Sequence, residues 1–111
     1  MYKSTKDKVN QKYETAEFSE INGRILRNLN VLDDKKPKIS AFITLFNDIE
    51  FTAFSECINY LSLSGYIKLI NIYINKDMQF ESKEFNNMAV RLTAKGIKLL
   101  KGKAEDNAVN I

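Results

Sequence analysis

The 111-residue chain has no histidine and no tryptophan, one cysteine (Cys57), one proline (Pro37) and four glycines. Each scarcity excludes something. Without an imidazole, neither a Ser-His-Asp triad nor a Cys-His pair can be assembled within one chain. The usual zinc sites go with them, so no metal and no cofactor are expected. A lone cysteine permits no disulfide framework, which points to a reducing compartment. No apolar run approaches the roughly 20 residues that a membrane span needs. The polar start MYKSTKDKVNQKYE lacks the apolar stretch of a signal peptide. A cytoplasmic protein without a membrane role is the expectation. The carboxylate pairs Asp33/Asp34 and Asp48/Glu50 read as solvated turn residues with no third ligand, so no enzyme is expected.

What is present describes one globular domain: 44% hydrophobic and 28% charged residues. Net charge is +3, but unevenly placed. Residues 39–66 contain Asp48, Glu50 and Glu56 and neither lysine nor arginine, whereas both ends and the segment DDKKPK (33–38) are basic. Lysine outnumbers arginine 14 to 3, and asparagine and isoleucine number 12 each, the bias of an AT-rich genome such as that of a low-GC bacterium or its phages.

Hydrophobic spacing divides the chain into a flexible basic arm (1–15), a folded domain (16–102) and a polar tail, KAEDNAVNI (103–111). Phe18, Ile21, Ile25, Leu29 and Leu32 form one helical stripe over 16–32. Gly23 within it costs about 1 kcal/mol and suggests a close helix–helix approach. Ile39, Phe42, Ile43 and Phe46 repeat the helical spacing over 39–46, and Phe54, Cys57, Ile58 and Leu61 repeat it in a third helix that Thr52 can cap and Gly65 can end. Phe42, Phe46, Phe51 and Phe54 read as core; Tyr60, Tyr73 and Phe85 read as candidates for exposure. The period then changes to two. Ile70, Ile72, Ile74, Met78 and Phe80 are expected on the buried side of a strand or of a hairpin turning near Asn75-Lys76-Asp77. ESKEFNN (81–87) reads as a loop. Met88, Val90 and Leu92 alternate as another strand, and Thr93 opens a last helix carrying Ile97 and Leu100.

The segments Thr52-Ala-Phe-Ser-Glu-Cys-Ile-Asn-Tyr-Leu61, Ser64-Gly-Tyr-Ile-Lys68 and Arg91-Leu-Thr-Ala-Lys-Gly-Ile97, in this order, resemble the winged-helix (helix-turn-helix) superfamily over about residues 18–101. The Leu-Thr-x-Lys-Gly ending and the chain length are also similar to small YjcQ-type winged-helix proteins of Gram-positive bacteria and their phages. The resemblance implies an α+β fold: a three-helix core, a β-hairpin wing and a C-terminal helix. It implies a recognition helix at 52–61 and, as function, binding of double-stranded DNA by a homodimeric transcriptional regulator or by a phage or plasmid DNA-binding factor.

On that reading the candidate DNA-binding residues are Thr52, Ser55 and Asn59 on the third helix, Lys35, Lys36 and Lys38 before the second, and Lys76 and Lys83 in the wing region. About six phosphate contacts would cut affinity roughly 10³-fold between 50 and 200 mM salt. The third helix carries no cation and Glu56 repels phosphate. The same residues therefore also fit a winged helix turned to protein–protein contact without DNA.

Overall fold

The computed structural model describes residues 5–32 and 36–111, with side chains from residue 16 onward. Its elements are α1 (Thr5–Val31), α2 (Ile39–Phe42) continued by a 3₁₀ turn (Ile43–Phe46), α3 (Phe51–Leu63), β1 (Ile67–Asn71), β2 (Lys76–Met78), a 3₁₀ helix (Ser82–Asn87), β3 (Met88–Leu92) and α4 (Ala94–Leu100). This is an α+β arrangement: helices packed on a small antiparallel sheet of order β2-β1-β3.

Helix α1 begins at Thr5, eleven residues ahead of the 16–32 helix that the apolar stripe predicts. That added stretch lacks the apolar stripe that marks a packed helix, but Lys6, Lys8, Gln11, Lys12 and Glu14 are residue types that propagate a helix well. Its described stripe buries Ile21, Ile25, Leu26 and Leu29. Across the core lie Phe42, Phe46 and Phe54, whose rings meet at 5.1–6.2 Å between centroids. Phe51 falls outside this cluster. It is 45% exposed and packs edge-on against Phe85. Arg24 holds the turn between α2 and α3 against α1: its guanidinium donates to both Asp48 carboxylate oxygens (2.7 and 2.9 Å) and to the Leu45 carbonyl, and it lies over the Phe46 ring.

The sheet corrects the strand phase. Ile67 and Leu69 are the buried residues of β1, paired with Leu92 and Val90, while Ile70 is only half-buried and Ile74 is exposed. The apolar alternation from Ile70 onward continues into the turn, which lies at 72–75, earlier than expected. Asn71 sets it, its side-chain oxygen accepting from the Tyr73 and Ile74 amides, and Asn75 closes it at φ 52°, a left-handed conformation that asparagine tolerates. Lys38 makes an isolated antiparallel bridge to Ala89, so the chain crosses the free side of β3 before α2 begins. ESKEFNN, expected as a loop, forms the 3₁₀ helix.

Two short segments tie the helical layer to the sheet. Helix α3 ends in a left-handed cap: Gly65 has φ 83°, its amide donates to the Ser62 carbonyl, and the Tyr66 amide donates to the Leu61 carbonyl. The β3–α4 junction closes directly on this cap. The Thr93 hydroxyl donates to the Gly65 carbonyl at 2.6 Å and accepts from the Gly96 amide at 3.1 Å, so one side chain joins α3 to β3 and caps α4. Lys95 Nζ donates to the Ser64 carbonyl at 2.9 Å. Gly96 packs against Tyr66; a Cβ there would collide with the Tyr66 carbonyl oxygen. The cap of α3 is at Glu50 and not Thr52.

The polar segment 103–111 belongs to the folded unit. Val109 is buried, the Asn110 amide donates to the Ser19 carbonyl, and the buried Asn22 side chain donates to the Ala108 carbonyl. Gly23 accommodates this tail, through the Asn110 carbonyl, and not a second helix.

Gly96→Ala is expected to destabilise the fold by about 1–3 kcal/mol, the cost of overpacking a closed contact. Lys98→Ala, on the exposed side of the same helix, should stay within about 0.5 kcal/mol. Urea unfolding of the two variants beside the wild type measures both.

Candidate nucleic-acid interface

Burial of Phe54, Cys57, Ile58 and Leu61 turns Thr52, Glu56, Asn59 and Leu63 outward, at helical steps of four, three and four. Thr52 and Asn59 are thus exposed on α3, as expected. Ser55 is not available: its hydroxyl is buried and has no hydrogen-bond partner among the described residues. Leu63, 70% exposed, adds an apolar end to this face that helical spacing alone does not flag as unusual.

A cleft of about 520 Å³ runs beside the face, between α1 and the first half of α3. Phe18, Ile21, Ala53 and Cys57 supply its apolar lining, and Glu17, Asp48, Glu50 and Glu56 its charge. No lysine or arginine is among its lining residues. Cys57 is an inert part of the wall. Burial, with Glu56 and Glu17 nearby, pushes its thiol up to about 12, so the nucleophilic thiolate does not form at neutral pH.

The candidate lysines lie elsewhere. Lys35 is outside the described residues. Lys36 and Lys38 are exposed, and the bridge to Ala89 places Lys38 on the outer side of the sheet, away from the helices. Lys76 is exposed at the hairpin end of β2; its register with Asn71 puts it on the other side of the sheet from Lys38. Lys83 projects from the second 3₁₀ helix, 3.7 Å from Glu81. The seven described candidates therefore form no single stripe. Thr52 and Asn59 share α3, and Lys38 instead joins Lys68 and Arg91, two residues the sequence reading did not select. Strand phase was the missing signal: all three fall on the same side only in the observed register.

The densest polar cluster joins the tail to the core. One oxygen of Asp106 accepts from the Tyr60 hydroxyl at 2.7 Å and the Tyr66 hydroxyl at 2.8 Å, while the other accepts from the Ala108 amide at 2.8 Å. Desolvation acts to raise the Asp106 carboxyl, but the Tyr60, Ala108 and Tyr66 donors and the Lys95 charge together hold it below the usual range. Burial, then the Asp106 hydrogen bond and charge, push Tyr66 up to about 12. With its oxygens committed to tail and tyrosines, the carboxylate acts as a latch. Among the described residues, no group of three or more histidine, cysteine, aspartate or glutamate side chains is arranged to hold a metal ion, and no helix is long and apolar enough to cross a membrane.

Comparisons with protein-family models, curated proteins and solved structures find no significant match.

The latch has a signed pH dependence. Because the folded Asp106 carboxyl is lowered, its contribution is present above the unfolded value of about 4 and is lost as pH falls through the folded value. The raised Tyr66 hydroxyl contributes fully below about pH 10, and that contribution is lost toward the folded value of about 12. Asp106→Ala is expected to cost about 2 kcal/mol at pH 7 by leaving two tyrosine donors without their charged acceptor. Urea unfolding at pH 7 and pH 3 should show its gap from the wild type narrowing at the lower pH.

Proposed function

We propose that the chain is a small winged-helix protein that binds DNA as a homodimer, in the manner of a regulator or phage-encoded DNA-binding factor. The order of elements supports the architecture: α2, a turn and α3 in the place of the helix-turn-helix, β1–β3 as the wing sheet, and a strand-like bridge at Lys38 ahead of α2. The observation that carries the function is the separation of charge. Carboxylates gather beside α3, and the cations Lys38, Lys68 and Arg91 share the opposite side of the sheet. Affinity on this reading comes from those cations meeting phosphates, with α3 adding little. Two copies would supply the contact area that one 12.8 kDa domain lacks.

A second reading has its own support. The cleft beside α3 combines apolar walls with four carboxylates, a surface that suits a basic protein segment better than a phosphate backbone. It makes the same fold a protein-interaction module.

Fluorescence anisotropy with labelled oligonucleotides over a salt series separates the two. Binding at 50 mM salt that weakens at least tenfold by 200 mM is expected for DNA binding, since each phosphate contact steepens the salt dependence. No binding at 50 mM salt rejects the DNA reading in favour of the protein module. Sedimentation of the free protein tests the dimer.

A further inference from the structure

We infer that the outer face of the β-sheet is the nucleic-acid contact surface, and that it takes the sugar–phosphate backbone of a single strand. This inference rests on the DNA-binding reading above and names the surface and the form of the ligand.

The pleat decides which side chains share the face. In β1 and β3, Ile67, Leu69, Met88, Val90 and Leu92 point inward and are buried. The opposite phase carries Lys68 and Arg91, which are directly paired across the strands and exposed. The next row holds Ile70 against Ala89, flanked by Asp77 on one side and Lys38 on the other. Rows on one face are about 7 Å apart, so Lys38 is the diagonal neighbour of Arg91. Three cations thus occupy two adjacent rows against one carboxylate.

The arrangement is unfavourable without a ligand. Like charges directly opposed across strands destabilise a sheet. Among the described residues Lys68 gains relief only from Asp77 at 3.7 Å, a loose and exposed pair. Arg91 has no ion-pair partner among the described residues. An anionic backbone laid across the face would meet all three cations. Lys36, exposed and two residues before Lys38, extends the basic surface.

Two features favour a single strand over a duplex. Lys68 and Arg91 project from paired strands rather than from a helix that could enter a major groove, and α3 packs on the opposite side of the sheet. Beyond the Ile70 row, at the tip of the β1–β2 hairpin, Tyr73 is 76% exposed. A strand held by its phosphates along the rows can stack a base on that ring, as sequence-tolerant single-strand binders do.

The test is anisotropy with a labelled 20-nucleotide oligo-dT strand, the matching duplex and a poly-glutamate peptide of the same length, from 25 to 200 mM salt. Lys68→Gln/Arg91→Gln should reduce the slope of log K against log salt by about 1.4, at about 0.7 per lost single-strand phosphate contact. Tyr73→Ala should weaken binding about fivefold or more with the slope unchanged. Thr52→Ala/Asn59→Ala on α3 should bind like the wild type. All these positions are exposed, and thermal melting confirms that each variant folds. Wild-type binding that survives Lys68→Gln/Arg91→Gln but is weakened by Thr52→Ala/Asn59→Ala overturns the assigned surface and leaves the DNA-binding reading standing. Tighter binding to the duplex overturns the single-strand assignment. Equal binding to poly-glutamate overturns nucleic acid as the ligand. No binding of any oligonucleotide at 25 mM salt overturns both this inference and the reading beneath it.

Discussion

Three hydrogen bonds made by the amide and the hydroxyl of Thr93 fix the relation between the helical layer and the sheet. Its amide donates to the Tyr66 carbonyl, its hydroxyl donates to the Gly65 carbonyl, and the same oxygen accepts from Gly96. Residue 93 therefore ends β3, caps α4 and closes on the C-terminal cap of α3 at once. The contact works only because both partners are glycine-dependent: Gly65 supplies the positive φ that exposes its carbonyl, and Gly96 lets α4 lie on the Tyr66 backbone. Lys95, reaching the Ser64 carbonyl and lying over the Tyr66 ring, shields the knot from solvent. With this junction set, β1 leaves α3 in the register that buries Ile67 and Leu69, and every later phase decision in the sheet follows.

The tail depends on the same region. Tyr66, placed by the α3 cap, is one of the two tyrosines that bind Asp106, and Tyr60 sits one and a half turns earlier on α3. Asp106 in turn positions Ala108, Val109 and Asn110 against Asn22, Ser19 and Arg27 of α1. The chain's last segment thereby straps the first described helix to the third. Small domains have little apolar area in reserve, and here a charged latch supplements a core built largely from Phe42, Phe46, Phe54 and the Ile25/Leu26 pair.

Much of this was readable in the residues. The helical stripes, Gly65 as a left-handed cap, Thr93 as an N-cap and the Met88/Val90/Leu92 alternation rest on local rules, and the structure agrees with each. The misreadings have a common cause. The Ile70–Phe80 alternation looks like one strand phase, but a turn set by Asn71 and Asn75 consumes part of it, and a one-residue change in phase sends every side chain to the other face. The tail read as polar because Asp106 and Asn110 are polar; that they answer donors and acceptors on α3 and α1 is a tertiary fact no local window contains. Ser55 was placed on the exposed face by a helical count that does not register how deeply its hydroxyl lies.

Strand phase also governs the reading of function. Taken along the chain, the lysines of segment 33–38, Lys68 and Arg91 are unrelated surface charges. The bridge at Lys38 and the β1–β3 register put Lys38, Lys68 and Arg91 on one face and the helices on the other. The proposed winged-helix order makes α3 the expected probe, but Glu17, Glu50 and Glu56 beside it would push a phosphate backbone away, Asp48 being paired with Arg24, and no lysine or arginine on α3 repays that repulsion. A fold of this kind does not dictate which surface is used. On the proposed reading charge makes that choice: the carboxylates beside α3 disfavour a polyanion there, while Lys38, Lys68 and Arg91 favour one on the outer face of the sheet, so order of elements and electrostatics point to different faces, and the electrostatics act at longer range.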